Sequence, residues 1–127
     1  MNVIYEAFFI LDNLESKLAK DIEYKHITTE FRPRKTHEHL YGKEATFLIF
    51  GYGNDNINEG YCVKMLSCED EELKELYYNN INVPHITLSV NKIGKPIDTA
   101  KLTFEPTEEK VIRCKFGGFI GKPIFNS

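Results

Sequence analysis

The chain has 127 residues, of which 42% are hydrophobic and 28% charged, and a formal net charge of −3. That size and balance describe one ordinary globular domain, residues 1–127, and exclude a fibrous, disordered or strongly basic chain. No apolar run approaches the roughly 20 residues that span a bilayer, and no basic region precedes the N-terminal apolar stretch, so neither a membrane partner nor a signal peptide is expected. Arg32, Arg34 and Arg113 are the only arginines. A basic stripe that could track a long duplex is missing, so a small anion or a nucleic-acid end is the expected partner. Cys62, Cys68 and Cys114 are odd in number and form no C-x-x-C, which fits buried thiols in a reducing, cytoplasmic setting.

In chain order, the apolar run Asn2 to Ile10 reads as a buried strand. Asp12 and Glu15 then form a capping-box pattern, and Leu11, Leu14, Leu18 and Ile22 recur at helical spacing, which predicts a helix over about Asn13 to Asp21. Tyr24 to Phe31 reads as a strand that Pro33 stops, followed by a polar loop through Arg34 to His39. Thr46 to Gly53 and Gly60 to Ser67 read as a strand pair, with Asn54 to Asn58 supplying turn chemistry. Ser67, with Asp70 at the reciprocal position, is expected to cap a second helix carrying Leu73, Leu76 and Tyr77 on its apolar face. Val83 to Val90 is a strand, Ile97 to Thr103 a short helix or turn, and Val111 to Phe116 a strand. Phe119 to Phe125 is expected to add a last short strand. The mixed order predicts an α+β architecture.

Two strings stand out, His26-Ile27-Thr28 and His85-Ile86-Thr87. Residues two apart on a strand share a face, so each string aims an imidazole and a hydroxyl one way and an isoleucine the other. A histidine pair can take a proton from an attacking oxygen and give one to a leaving oxygen. Threonine hydroxyls on the same face can hold phosphoryl oxygens. The scheme requires no metal. A strand, a capped helix and a His-x-Thr strand are expected twice, with Asp12 14 positions before His26 and Ser67 18 positions before His85. Such a repeat is what two related halves of one domain would give.

Other groups have plainer readings beside functional ones. His37, Glu38 and His39 have spacing suited to zinc, but no further ligand cluster supports them and a solvated loop is the expected state. Arg32, Arg34 and Lys35 follow the first motif and are candidate contacts to a second phosphate or a nucleotide edge. Tyr41, Tyr52, Tyr61, Tyr77 and Tyr78 are candidate base-stacking platforms that also suit core packing.

The segments HITTEFRP, His26 to Pro33, and HITLSVNKIGKPIDTAKL, His85 to Leu102, resemble the two-histidine (2H) phosphoesterases. That superfamily includes the LigT-like RNA ligases and cyclic phosphodiesterases, and the nearest likeness is to the cyclic phosphodiesterase domain of fungal and plant tRNA ligases. The resemblance implies a two-lobed, pseudo-symmetric fold with antiparallel sheets lining a central cleft and helices outside. It implies His26 and His85 as the acid–base pair, Thr28 and Thr87 as phosphate holders, and no metal or cofactor. The implied activity is hydrolysis of a 2′,3′-cyclic phosphate on an RNA end or a nucleotide. Hydrolysis of a cyclic (di)nucleotide messenger, as in viral members, and nucleotide binding without turnover are the alternatives.

Overall fold

The structure, a computed structural model, describes residues 2–80 and 83–126. Its strands are β1 (Tyr5–Ile10), β2 (Lys20–Asp21), β3 (His26–Phe31), β4 (Glu44–Asn54), β5 (Asn58–Cys68), β6 (His85–Val90), β7 (Glu105–Phe119) and β8 (Pro123–Ile124). One α-helix, α1 (Glu71–Asn80), and 3₁₀ turns at Glu38–Leu40 and Pro96–Lys101 complete the described elements. The α+β reading holds in its coarse form: a mostly antiparallel sheet with few helices.

The longest hairpin, β4–β5, follows directly from local chemistry. Asp55 Oδ1 accepts from the amides of Ile57 and Asn58 at 2.9 and 2.8 Å, and Asn56 takes the left-handed turn position at φ +68°. Alternation along β4 then sends Phe47 and Ile49 into the core. Helix α1 starts at Asp70, whose Oδ1 accepts the Leu73 amide at 3.0 Å. The cap is thus Asp70 and not Ser67, which lies within β5 and hydrogen-bonds Thr46 at 2.6 Å. The helix buries Leu73 and Tyr77 against Phe8 and Phe47, with the Tyr77 ring centroid 5.9 and 5.5 Å from those of the two phenylalanines.

The expected helix over Asn13 to Asp21 does not form. Leu11 to Ala19 is an irregular strap whose only fully packed leucine is Leu14. Its amides are taken by the sheet: Lys17 N–H donates to Glu59 Oε1 at 2.8 Å and Leu18 N–H to Ser89 Oγ at 3.1 Å. Asp12 caps nothing and accepts from the Arg113 amide at 2.7 Å. A short helix has little stability of its own, whereas the buried Glu59 carboxylate must find donors. The strap meets that need and ends in β2, which pairs with β6.

The strands form one continuous antiparallel path, β2-β6-β5-β4-β7-β1-β3, with β8 on β7. The expected separate sheets are therefore joined, through the β4–β7 pairing. The path curls back so that β3, at one end, comes within 8 Å of β6, near the other. The core, including Phe8, Ile27, Phe47, Ile86, Leu88, Ile112 and Phe116, lies on the face that α1 and the strap cover. No helix among the described residues is long and apolar enough to cross a membrane.

Candidate active site

Both His-x-Thr strings stand on strands, as expected, β3 pairing antiparallel with β1 and β6 with β5. Opposite His26 and Thr28 stand Phe9 and Ala7 of β1; opposite His85 and Thr87 stand Cys62 and Gly60 of β5. Each ladder then shifts register by one residue, between Glu6 and Ala7 and between Glu59 and Gly60. The extra residue is Thr29 on β3 and Leu88 on β6, both buried. The bulge thus lies at the same distance from each histidine, three residues on, where a bulge locally bends and twists its strand.

Behind each bulge sits a buried glutamate that sequence reasoning missed. Glu6 takes the His37 amide and the Tyr41 hydroxyl on Oε2 at 2.7 and 2.8 Å, and meets His37 Nδ1 through Oε1 at 2.8 Å. Glu59 takes Lys17 N–H and Ser89 Oγ on Oε1, and the Tyr52 hydroxyl on Oε2. Each carboxylate clamps a covering segment onto the core face. The visible signal was a glutamate inside an apolar strand, as in Tyr5-Glu6-Ala7-Phe8, where burial demands paired donors.

The imidazoles are held alike. His26 Nδ1 lies 2.7 Å from the Tyr24 carbonyl, and His85 Nδ1 lies 2.7 Å from the Val83 carbonyl, in each case two residues earlier. A carbonyl only accepts, so Nδ1 carries the proton and the neutral ring keeps its basic lone pair on Nε2. Burial pushes the His26 pKa below the usual imidazole value; the Tyr24 carbonyl opposes this, and the nearby His85 charge adds to it. β3 and β6 approach within 8 Å, and His85 lies near enough for its charge to oppose protonation of His26. His26 also stacks on Tyr5, centroids 4.5 Å apart, and Tyr5 stacks in turn on Phe119 at 4.7 Å. Burial raises the Tyr5 phenol to about 12, so this wall stays neutral across the physiological range.

The threonines differ. Thr28 is half-buried, and its hydroxyl enters no hydrogen bond among the described residues. Thr87 is buried, with Oγ1 2.9 Å from Thr99 Oγ1 and 3.2 Å from the Pro96 carbonyl. The 3₁₀ turn sits directly over it, because Gly60 leaves the space: a Cβ there would strike Thr99 Cγ2 and the Ile86 carbonyl. Thr28 is therefore available to a phosphoryl oxygen, whereas the Thr87 hydroxyl must first leave its turn.

Arg32 and Arg34 do not join the histidines. They lie beyond the other end of β3, six or more residues along an extended strand from His26, about 20 Å at the usual rise. His37 is not in a solvated loop but bound to Glu6, and His39 pairs with Glu72 at 2.7 Å. Among the described residues, one group could hold a cation: ligand atoms of Glu6, Glu30 and His37 lie within 4.8 Å of one another. The Glu6 oxygens already receive a full set of protein donors, which marks the group as a structural clamp. Tyr41 and Tyr77 are core residues, and Tyr52 and Tyr61 form a half-buried tilted pair.

No protein-family model, no curated protein and no solved structure matches this chain.

Proposed function

We propose that this chain is a phosphodiesterase that opens a 2′,3′-cyclic phosphate on an RNA end or a nucleotide, without a metal, through His26 and His85. The observation that carries the reading is the matching tethering of the two imidazoles: each Nδ1 is held by the carbonyl two residues back, which leaves the basic lone pair on Nε2, and the His85 charge acts on His26. The likeness to the two-histidine phosphoesterases points the same way, and the matched bulges behind the two motifs suit a pseudo-symmetric fold of that kind.

His26, with its pKa lowered, is neutral at pH 7 and is the base. Its Nε2 takes a proton from a water that attacks phosphorus. The bond from phosphorus to the 2′ or 3′ oxygen breaks, and His85, protonated at Nε2, gives that oxygen its proton. The product is a phosphomonoester, and the two imidazoles have exchanged protonation states. Thr28 donates to a non-bridging oxygen while charge builds there. The Tyr5–Phe119 stack fixes the plane of the His26 ring and keeps water from one side of it.

The test is turnover of a 2′,3′-cyclic mononucleotide, a short RNA ending in a cyclic phosphate, and cyclic dinucleotides, all in chelator. Hydrolysis of the first two supports the reading; activity that appears only on adding metal overturns it. A second reading, nucleotide binding without turnover, draws on the buried Thr87 hydroxyl, which removes one expected phosphate donor. Thermal stabilisation by a cyclic nucleotide with no product after long incubation would favour it.

A further inference from the structure

We infer that the far end of β3 carries a second binding site, for the phosphate backbone of a single-stranded RNA, and that this site makes an RNA end the preferred substrate over a free mononucleotide. The preference rests on the hydrolase reading above; the RNA site itself does not.

Asn2, Ile4, Arg32, Arg34 and Thr36 line a groove of about 630 Å³, a size that takes a nucleotide. Among the described residues no carboxylate lines it, and neither guanidinium is paired with one. The Thr36 hydroxyl is turned to Glu38, so the two arginines are the groove's anion-binding groups. Two of the three arginines of an acidic chain thus line one groove with no carboxylate partner among the described residues. Their planar forks suit phosphate oxygens.

The backbone sets them there. The Arg32 N–H donates to the Ile4 carbonyl at 2.8 Å, and Arg32 takes the left-handed conformation at φ +50°. The chain turns at this residue from β3 into the groove wall, and Pro33 stiffens the exit. Beside the groove, Phe31 is 62% exposed, with the Arg32 guanidinium 5.4 Å from its ring centre. An exposed aromatic ring beside cations that lack a carboxylate partner is how single-strand binding proteins stack a base and hold its phosphates.

The distance supplies the preference. β3 is an end strand, paired on one side only with β1, and it runs from His26 to this groove over about 20 Å. A mononucleotide at His26 cannot touch the arginines. An RNA of on the order of four nucleotides, the low end of single-strand site sizes, can reach both.

The experiment is fluorescence anisotropy of the full chain with a fluorescein-labelled ten-nucleotide RNA ending in a 2′,3′-cyclic phosphate. The variants are Phe31→Ala and the pair Arg32→Asn with Arg34→Glu, asparagine being chosen because it tolerates the left-handed backbone. Phe31, Arg32 and Arg34 are all exposed, and unchanged thermal melts check the fold. The arginine pair is expected to weaken binding at least tenfold. It should also lower the slope of log affinity against log salt by about 0.7 for each phosphate charge left unneutralised. Phe31→Ala is expected to weaken binding roughly fivefold or more. The kcat/KM ratio of the RNA to the mononucleotide should fall at least tenfold in the arginine variant. Unchanged RNA affinity in that variant overturns the site. RNA bound through the arginines but never hydrolysed would leave the site standing and refute the hydrolase reading; mononucleotide hydrolysis with unchanged RNA affinity would do the reverse.

Discussion

In the hairpin of β1 with β3, the His26 ring lies in a three-ring stack with Tyr5 and Phe119, and the Thr28 hydroxyl beside it has no hydrogen-bond partner among the described residues. In the hairpin of β5 with β6, no aromatic ring stacks on His85 among the described residues, and the Thr87 hydroxyl is held under the turn at Pro96–Lys101. What the two strand pairs share is the carbonyl tether, the isoleucine anchored in the core, the bulge and the buried glutamate behind it. Where they differ is in the aromatic stack and in the hydroxyl. In the proposed reaction the shared parts would serve two proton carriers, and the unshared parts would give them different tasks.

The largest expected effect breaks the shared part. His26→Ala or His85→Ala should each lower kcat/KM on cyclic phosphate by on the order of a thousandfold, the middle of the range for positioned acid–base groups, with the melting temperature little changed. Steady-state kinetics beside a thermal melt reads both. Next come the clamps. Glu59→Ala strands the Lys17 amide and the Ser89 and Tyr52 hydroxyls, and Glu6→Ala strands the His37 amide and the Tyr41 hydroxyl. Each should cost roughly 3 kcal/mol in urea unfolding, and similar losses for the two would support their equivalence.

The threonines sharpen the difference. Thr28→Val should lower kcat roughly tenfold to a hundredfold through a lost bond to developing charge. Thr87→Val should lower stability by about 1 kcal/mol and leave kcat within a few-fold. Equal kinetic losses would mean that Thr87 leaves its turn in the working enzyme.

The smallest effect is the pH response of the folded chain. The His26 pKa is lower in the native state than in the unfolded one, so the unfolded state binds more protons as pH falls below about 6.5. Stability should be level above that pH and fall as pH drops from there through the native pKa. Activity should fall over the same window as the base becomes protonated. His26→Gln should flatten the stability profile there; a profile that stays as steep would mean the loss has another origin.

The sequence carried the strands and the site unevenly, and the reasons are physical. The His-x-Thr strings were legible because a period of two fixes which side chains share a face, whatever the topology. The β4–β5 hairpin was legible because Asp55 and Asn56 make their own turn. The leucine spacing over Asn13 to Asp21 is local and misleads, because Glu59 and Ser89, which claim the amides of that stretch, lie more than 40 residues away. The carbonyl tethers of Tyr24 and Val83 are backbone groups, on which residue identity has no bearing. The separation of Arg32 and Arg34 from His26 follows from the length of β3, which runs from His26 to Phe31 with one bulge.

The most direct test of the central claim, that His26 and His85 form one acid–base site, is a double-mutant cycle. Turnover of a 2′,3′-cyclic mononucleotide is measured in chelator for the unmodified chain, His26→Ala, His85→Ala and the double variant. Groups that act as a unit are strongly non-additive, so the double variant should be about as slow as either single one. Single losses that multiply in the double variant, or full activity in either single variant, would contradict the account.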